Sequence, residues 1–104
     1  MQNSLDAANR LKALLDEMGP TNFIELDAQL ALYKDREFME KSIAILSSDN
    51  VDEINGLWRE VQYLSRFFGG DYAQGSNQTR LLQLMNEFEE AVFEDIVSLR
   101  RTQI

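Results

Sequence analysis

The sequence contains no cysteine, no histidine and only one proline in 104 residues. Without thiols the chain can form no disulfide, no zinc–thiolate site and no cysteine nucleophile. Without imidazole it can form no histidine-based triad and no histidine metal site. These absences remove the commonest routes to catalysis. We therefore predict a protein that is not an enzyme, with no catalytic residues, no cofactor and no metal site.

Positive charge is scarce, because ten Lys and Arg stand against eighteen Asp and Glu, for a formal net charge of −8. Phosphate groups repel such a chain, which disfavours direct binding to nucleic acid or to an anionic membrane. Long hydrophobic runs are lacking too, and none approaches the roughly 18 residues of a spanning helix. The first dozen residues carry Asp6, Arg10 and Lys12 in place of a signal peptide's apolar segment. We expect a cytoplasmic protein.

Apolar residues recur at three- and four-residue steps along almost the whole chain, which is the spacing of amphipathic helices. No stretch shows the period-two alternation of a strand. Gly19-Pro20, the polar run Ser47–Asn50 and Gly69-Gly70 divide the chain into segments. We predict one domain, 1–104, folded as an all-α, antiparallel bundle of four to five helices around a core of Leu, Phe, Ile and Trp58. The predicted helices cover approximately residues 4–18, 22–34, 36–47, 51–68 and 77–100.

The middle of the chain fits two arrangements. Tyr33–Glu37 interrupts the apolar stripe with polar residues, yet it holds no glycine or proline that would end a helix. One long helix and two shorter helices with a bend near Lys34–Arg36 are both compatible with this pattern. We favour two helices.

Local capping signals mark two of the helix starts. Asn3 or Ser4 can accept hydrogen bonds from the free N–H groups of the first helix. Asn50 and Glu53 have the spacing of a capping box, which predicts a helix that begins at Val51.

The segment Gly69–Asn77 has two glycines separated by four residues before a helix start, which is the skeleton of a phosphate-binding loop. Ser76 replaces the required lysine and Asp71 would repel phosphate, so we expect no nucleotide site. Two interpretations remain. The segment either connects two helices or, because nine residues is long for such a connection, also contacts a partner. In the second case Tyr72 lies at the exposed tip as an aromatic anchor beside Asp71.

Glu87, Glu90 and Glu94 are three and four residues apart and so share one face of the last predicted helix. Without histidine they cannot complete a di-metal carboxylate site, and no loop has the ligand spacing of a Mg²⁺ or Ca²⁺ site. They form either a solvated helix face or a surface for a basic partner. In the second interpretation the binding surface also includes the glycine-rich segment and acidic residues of the predicted helix 51–68. The predicted partner-binding residues are then Tyr72, Asp71, Asp52, Glu53, Glu60, Glu87, Glu90 and Glu94.

Aromatic residues before the glycine-rich segment offer a further surface. Trp58 follows Leu57, and neighbours in a helix point about 100° apart, so at most one of the two faces fully inward. Phe67 adjoins another phenylalanine in the same way, and one of that pair could be exposed. Phe67, Tyr63 and Tyr72 would then form an apolar patch that doubles as an interface.

Two glycine elements carry a resemblance to known proteins. Phe68-Gly69-Gly70 at the end of one helix and Gly75-Ser76-Asn77 at the start of the next resemble a family of small bacterial all-helical proteins. Leu14–Gly19 with Asn22-Phe23 shortly after is also similar. In this chain four residues separate the two glycine elements, and Gln78 stands where the family has an acidic residue. The family has no established activity, but some members look like immunity proteins encoded beside toxin genes, which implies an inhibitor and assigns no site residue.

The charge supports the same class of function. Inhibitors of nucleases are often acidic, because carboxylates fit a surface that holds phosphate and complementary potentials speed association. We therefore expect a non-catalytic domain that binds a basic protein partner, as an immunity- or antitoxin-like inhibitor. Two alternatives stay open. One is a structural module that pairs with a second copy through the wide apolar stripe of the last helix, and the other is an acidic mimic of nucleic acid.

Overall fold

The computed structural model describes residues 2–18, 26–48, 50–64 and 75–102, and within these ranges the chain is helical and contains no strand. The helices are α1 (Gln2–Glu17), α2 (Leu26–Ser48), α3 (Val51–Leu64) and α4 (Ser76–Thr102). The prediction of an all-α fold is confirmed. None of the helices in this part of the chain is long and apolar enough to cross a membrane.

The helices pack side by side as a bundle. α1 packs against α2 and α4, and α3 packs against the same two helices, so every helix contributes to one core. The contacts between α1 and α4 join residues in opposite sequence order, namely Ser4 with Asp95, Arg10 with Glu87, and Glu17 with Arg80. The largest fully buried side chains are Leu11 and Leu15 of α1, Leu32, Met39 and Leu46 of α2, Ile54, Leu57 and Val61 of α3, and Leu81, Met85, Phe88 and Val92 of α4.

The bend predicted near Lys34–Arg36 is wrong, because the two predicted middle helices are one continuous helix, α2. Leu32 and Met39 are seven residues apart, so they lie on the same face of α2 two turns from each other, and both are fully buried. Arg36 stands between them, and its Nη2 donates to the carbonyl oxygen of Leu15 at 2.8 Å, near the end of α1. The polar interruption of the stripe is therefore a contact with the end of α1.

A residue from the far end of the chain caps the N-terminus of α1. Asn3 and Ser4, the predicted caps, lie inside α1, which begins at Gln2, so that prediction was wrong. The Ser4 backbone N–H donates to Asp95 Oδ2 at 2.8 Å, across 91 residues of sequence. Ser4 is completely buried and Asp95 is 9% exposed. The first N–H groups of a helix have no partner within it, and a carboxylate also suits the positive end of the helix dipole.

The starts of α3 and α4 follow from local sequence. Asn50 Oδ1 accepts a hydrogen bond from the backbone N–H of Glu53 at 3.2 Å, which confirms the predicted cap of α3. Gly75, immediately before α4, has a φ of 61°, in the left-handed region that favours glycine. The positive φ at this position therefore explains why the residue before α4 is a glycine.

The interaction between Ser4 and Asp95 predicts a measurable contribution to stability. Asp95→Ala removes the carboxylate that accepts from the Ser4 N–H and should lower the free energy of unfolding by about 1–2 kcal/mol. Glu94→Ala, an exposed neighbour on the same helix, should change it by less than about 0.5 kcal/mol. Urea denaturation followed by circular dichroism measures both values. Equal effects of the two substitutions would contradict this role of Asp95.

Candidate functional site

An open groove of about 460 Å³ lies between α3 and α4. We call it the Trp58 groove. Trp58 of α3 lines one side of it. The residues of α4 that line it are Asn86, Glu89, Glu90, Phe93 and Glu94. Two aromatic rings and three carboxylates therefore meet in one concave surface.

The two aromatic rings of the groove pack against each other. The ring centroids of Trp58 and Phe93 are 5.4 Å apart, and the ring planes are inclined by 36°. Trp58 is partly buried at the edge of the core, and Phe93 is 50% exposed. Tilted contacts of this kind are favourable between aromatic rings. Because its other half faces solvent, the Phe93 ring has free surface for a further contact.

The indole N–H of Trp58 is buried, and it has no hydrogen-bond partner among the residues that the structure describes. Buried polar groups are almost always paired, and an unpaired one costs about 1–3 kcal/mol. Packing of the ring, and not hydrogen bonding, therefore holds Trp58 beside Phe93.

The carboxylates of the groove are not neutralised by a neighbouring cation among the described residues. Glu89, Glu90 and Glu94 form no ion pair or hydrogen bond with any residue in the described ranges. Elsewhere in those ranges, carboxylates and cations do pair. The pairs are Arg10 with Glu87, Lys12 and Arg36 with Asp16, Lys41 with Glu60, and Arg80 with Glu17. Three carboxylates without cationic partners in this part of the chain therefore adjoin the two aromatic rings.

The opposite side of Trp58 has a different character. A second depression there is lined by Trp58 together with Asp52, Asn55, Gly56, Arg59 and Arg100. Arg100 Nη2 donates to Asn55 Oδ1 at 3.1 Å, which ties the end of α4 to α3. This depression therefore holds two positive side chains and one carboxylate, whereas the charged residues that line the Trp58 groove are all acidic.

The structure brings together two of the predicted partner-binding residues, Glu90 and Glu94, in the groove. Glu87 lies apart from them, because it faces Arg10 of α1 at 4.0 Å and accepts a hydrogen bond from Gln83 at 3.5 Å. Glu94 also borders a polar depression toward α1, so it stands at the crest of α4.

The predicted residues of α3 do not line the groove. Glu60 pairs with Lys41 of α2 at 3.2 Å, and Glu53 stays with the start of its own helix, where Glu53 Oε2 accepts a hydrogen bond from Ser48 at 3.4 Å. Asp52 lies in the depression with Arg59 and Arg100. Phe67, Asp71 and Tyr72 lie outside the residues that the structure describes. Tyr63 belongs to α3, but its side chain lies outside the described part of the structure.

Phe93, Glu89 and Asn86 were not predicted as site residues, and Trp58 was assigned to the core. A signal for the two aromatics exists in the sequence. Each follows directly after a residue that reaches the core, Trp58 after Leu57 and Phe93 after Val92. Neighbours on a helix point about 100° apart, so a large ring directly after a core residue is a candidate for the edge of the core.

A shift in pKa is found away from the groove, at a tyrosine of α2. Tyr33 of α2 is 59% exposed, and a hydrogen bond with Glu37 together with the charge of that carboxylate raises the pKa of the tyrosine. Leu30, one turn earlier, is 49% exposed. No group of three or more carboxylates in the described ranges is arranged to hold a metal ion.

Comparison with known proteins does not place the chain in a family. No protein-family model matches the sequence, and neither a curated protein nor a solved structure matches it significantly. The resemblance to small bacterial helical proteins is untested by this result and stays a prediction.

The unpaired indole N–H predicts different effects for two substitutions of Trp58. Trp58→Phe keeps an aromatic ring against Phe93 and removes a donor that has no partner, so the free energy of unfolding should stay within about 1 kcal/mol of the original value. Trp58→Ala removes the ring contact and should lower it by about 2–4 kcal/mol. Denaturation in urea, followed by circular dichroism, distinguishes them. A loss with Trp58→Phe as large as with Trp58→Ala would mean that the N–H is stabilised in the folded protein.

Proposed function

We propose that this protein is a non-catalytic binding domain that inhibits a basic protein partner, in the manner of an immunity protein or an antitoxin. The observation that carries the proposal is the Trp58 groove, where the half-exposed ring of Phe93 adjoins three carboxylates without cationic partners. Protein interfaces obtain most of their affinity from a few buried anchors, aromatic ones prominent among them, and charged rims add specificity and speed. The groove offers both.

The charge of the whole chain supports the same conclusion. A net charge of −8 attracts a basic protein from a distance and raises the rate of encounter. The groove then provides the local contact, because its carboxylates have no competing cation in the described ranges. Long-range attraction and the local site therefore favour the same kind of partner.

An antiparallel arrangement of the helices is part of this proposal. The opposite order of the contacts between α1 and α4 supports it, as does the contact of α3 and α4 through Asn55 with Arg100 and Trp58 with Phe93. In such a bundle the groove stands on two packed helices and is formed before the partner arrives. A preformed site loses little conformational entropy on binding. The family resemblance adds the expectation of a bacterial inhibitor.

Self-association through the wide apolar stripe of the last helix is the second candidate function, since Leu82 and Phe93 of α4 are about half-exposed. Two copies would each carry a charge of −8 and repel one another, so we expect a monomer. Size-exclusion chromatography with light scattering at 0.05 M and 0.5 M salt tests this. A dimer at micromolar concentration in both buffers would favour an oligomerisation module instead.

The proposal predicts that binding depends on the position of the charges as well as on their number. In a capture experiment from host extract, the groove variant Glu89→Gln, Glu90→Gln, Glu94→Gln should bind the captured basic protein at least tenfold more weakly, about 1.4 kcal/mol. A matched variant on other surfaces, Glu17→Gln, Glu37→Gln, Glu40→Gln, has the same net charge and should stay within about threefold. Affinities measured at several salt concentrations should fall as salt rises.

Two results would contradict the proposal. One is an equal loss of affinity in the groove variant and the matched variant, which would mean that charge acts without a site. The other is a captured partner that is not basic and whose affinity is the same for both variants and the original protein.

A further inference from the structure

The Trp58 groove combines the faces of aromatic rings with carboxylates that have no cationic partner among the described residues. One kind of side chain can bind both at the same time. We propose that the groove is a binding site for an arginine side chain of the partner. This inference rests on the proposed function and names the chemistry of its site. The elements are Trp58 and Phe93 as the aromatic surface and Glu89, Glu90 and Glu94 as the anionic groups.

The groove favours a cation over a neutral or an acidic side chain. Its three carboxylates have no partner in the described part of the chain, whereas Glu87, Glu60 and Glu17 each face a cation of a neighbouring helix. The face of an aromatic ring carries partial negative charge and attracts a cation within about 6 Å of the ring centre. A cation from outside would therefore meet attraction from the rings and from the carboxylates at once.

Arginine uses this combination better than lysine. A guanidinium is planar and weakly hydrated, so it stacks on a ring while its N–H groups bind carboxylates in pairs. The ammonium of lysine is compact and strongly hydrated, and it binds carboxylates as a point charge without stacking. Phe93, 50% exposed, provides the free ring face, and the side-chain oxygen of Asn86 is a further acceptor in the groove.

The dimensions of the groove leave room for such a side chain. A volume of about 460 Å³ lies within the range of clefts that take small ligands, roughly 300–1,000 Å³. The positive residues Arg59 and Arg100 lie on the other side of Trp58, so they limit the cationic site to the part of the surface beside Phe93.

Peptides test the proposal directly, because Trp58 is the only tryptophan and its indole N–H gives one signal in a nitrogen–proton NMR spectrum. The probes are three nine-residue peptides of glycine and serine that carry three arginines, three lysines or three citrullines at the same positions. Citrulline has nearly the shape of arginine without its charge. The arginine peptide should shift the indole signal and bind about fivefold more tightly than the lysine peptide, with the citrulline peptide at least tenfold weaker.

Variants separate stacking from charge. Phe93→Leu keeps an apolar side chain but removes the ring face, so it should reduce the preference for arginine over lysine to less than twofold. Glu89→Gln, Glu90→Gln, Glu94→Gln should weaken both cationic peptides at least tenfold. The matched variant Glu17→Gln, Glu37→Gln, Glu40→Gln should retain the arginine preference. Phe93 is half-exposed, and an unchanged far-ultraviolet circular dichroism spectrum confirms that each variant is folded.

The outcomes distinguish this inference from the proposed function. Equal affinity of the arginine and lysine peptides for the original protein would overturn arginine recognition while charge-based binding stands. An indole signal that no peptide shifts would overturn the site, even if the capture experiment yields a basic partner. An arginine preference without any basic partner in the capture experiment would support the site and contradict the inhibitor function.

Discussion

The site depends on one geometrical relation, which is that consecutive residues of a helix point about 100° apart, so an aromatic residue that follows a core residue is turned toward the side of its helix. On α3 the core takes Leu57, and on α4 it takes Val92, so the aromatic residue after each one is displaced toward the seam between the helices. Because α3 and α4 pack against each other, the two displaced rings meet at 5.4 Å. The aromatic floor of the groove is thus a consequence of how the bundle fills its interior.

The distribution of charge is the second feature that defines the groove. The bundle places cations from its helices against carboxylates of neighbouring elements, as in the pairs Lys41–Glu60 and Arg10–Glu87. Exposed pairs of this kind contribute little to stability, typically below about 1 kcal/mol, but they remove net charge from the surfaces where they stand. Glu89, Glu90 and Glu94 of α4 form no such pair in the described residues, so their negative charge remains beside the aromatic rings.

Features fixed by nearby residues could be predicted from the sequence, and features fixed by distant residues could not. The helices follow from the spacing of apolar residues, and the cap of α3 follows from Asn50 because donor and acceptor are three residues apart. The cap of α1 comes from Asp95, and no local pattern indicates a partner 91 residues away. The polar residues around Arg36 were interpreted as a bend for the same reason, since the contact of Arg36 with the end of α1 is tertiary. For the candidate site, its acidic character and two of its carboxylates, Glu90 and Glu94, could be predicted from the sequence. Which carboxylates form ion pairs could not be predicted, because ion pairing depends on how the helices pack.

Collisional quenching of tryptophan fluorescence tests most directly whether the partly buried Trp58 stands in a locally anionic groove. Trp58 lies between the carboxylates of the groove and the depression that holds Arg59 and Arg100, so charged quenchers report which side governs its surroundings. Because iodide quenches free indole more efficiently than caesium, each ion is compared with its own quenching of N-acetyltryptophanamide. On this relative scale we expect caesium to quench Trp58 more efficiently than iodide, and neutralising Glu89, Glu90 and Glu94 should remove most of the difference. Relative quenching by iodide that equals or exceeds that by caesium in the unmodified protein would contradict a locally anionic groove.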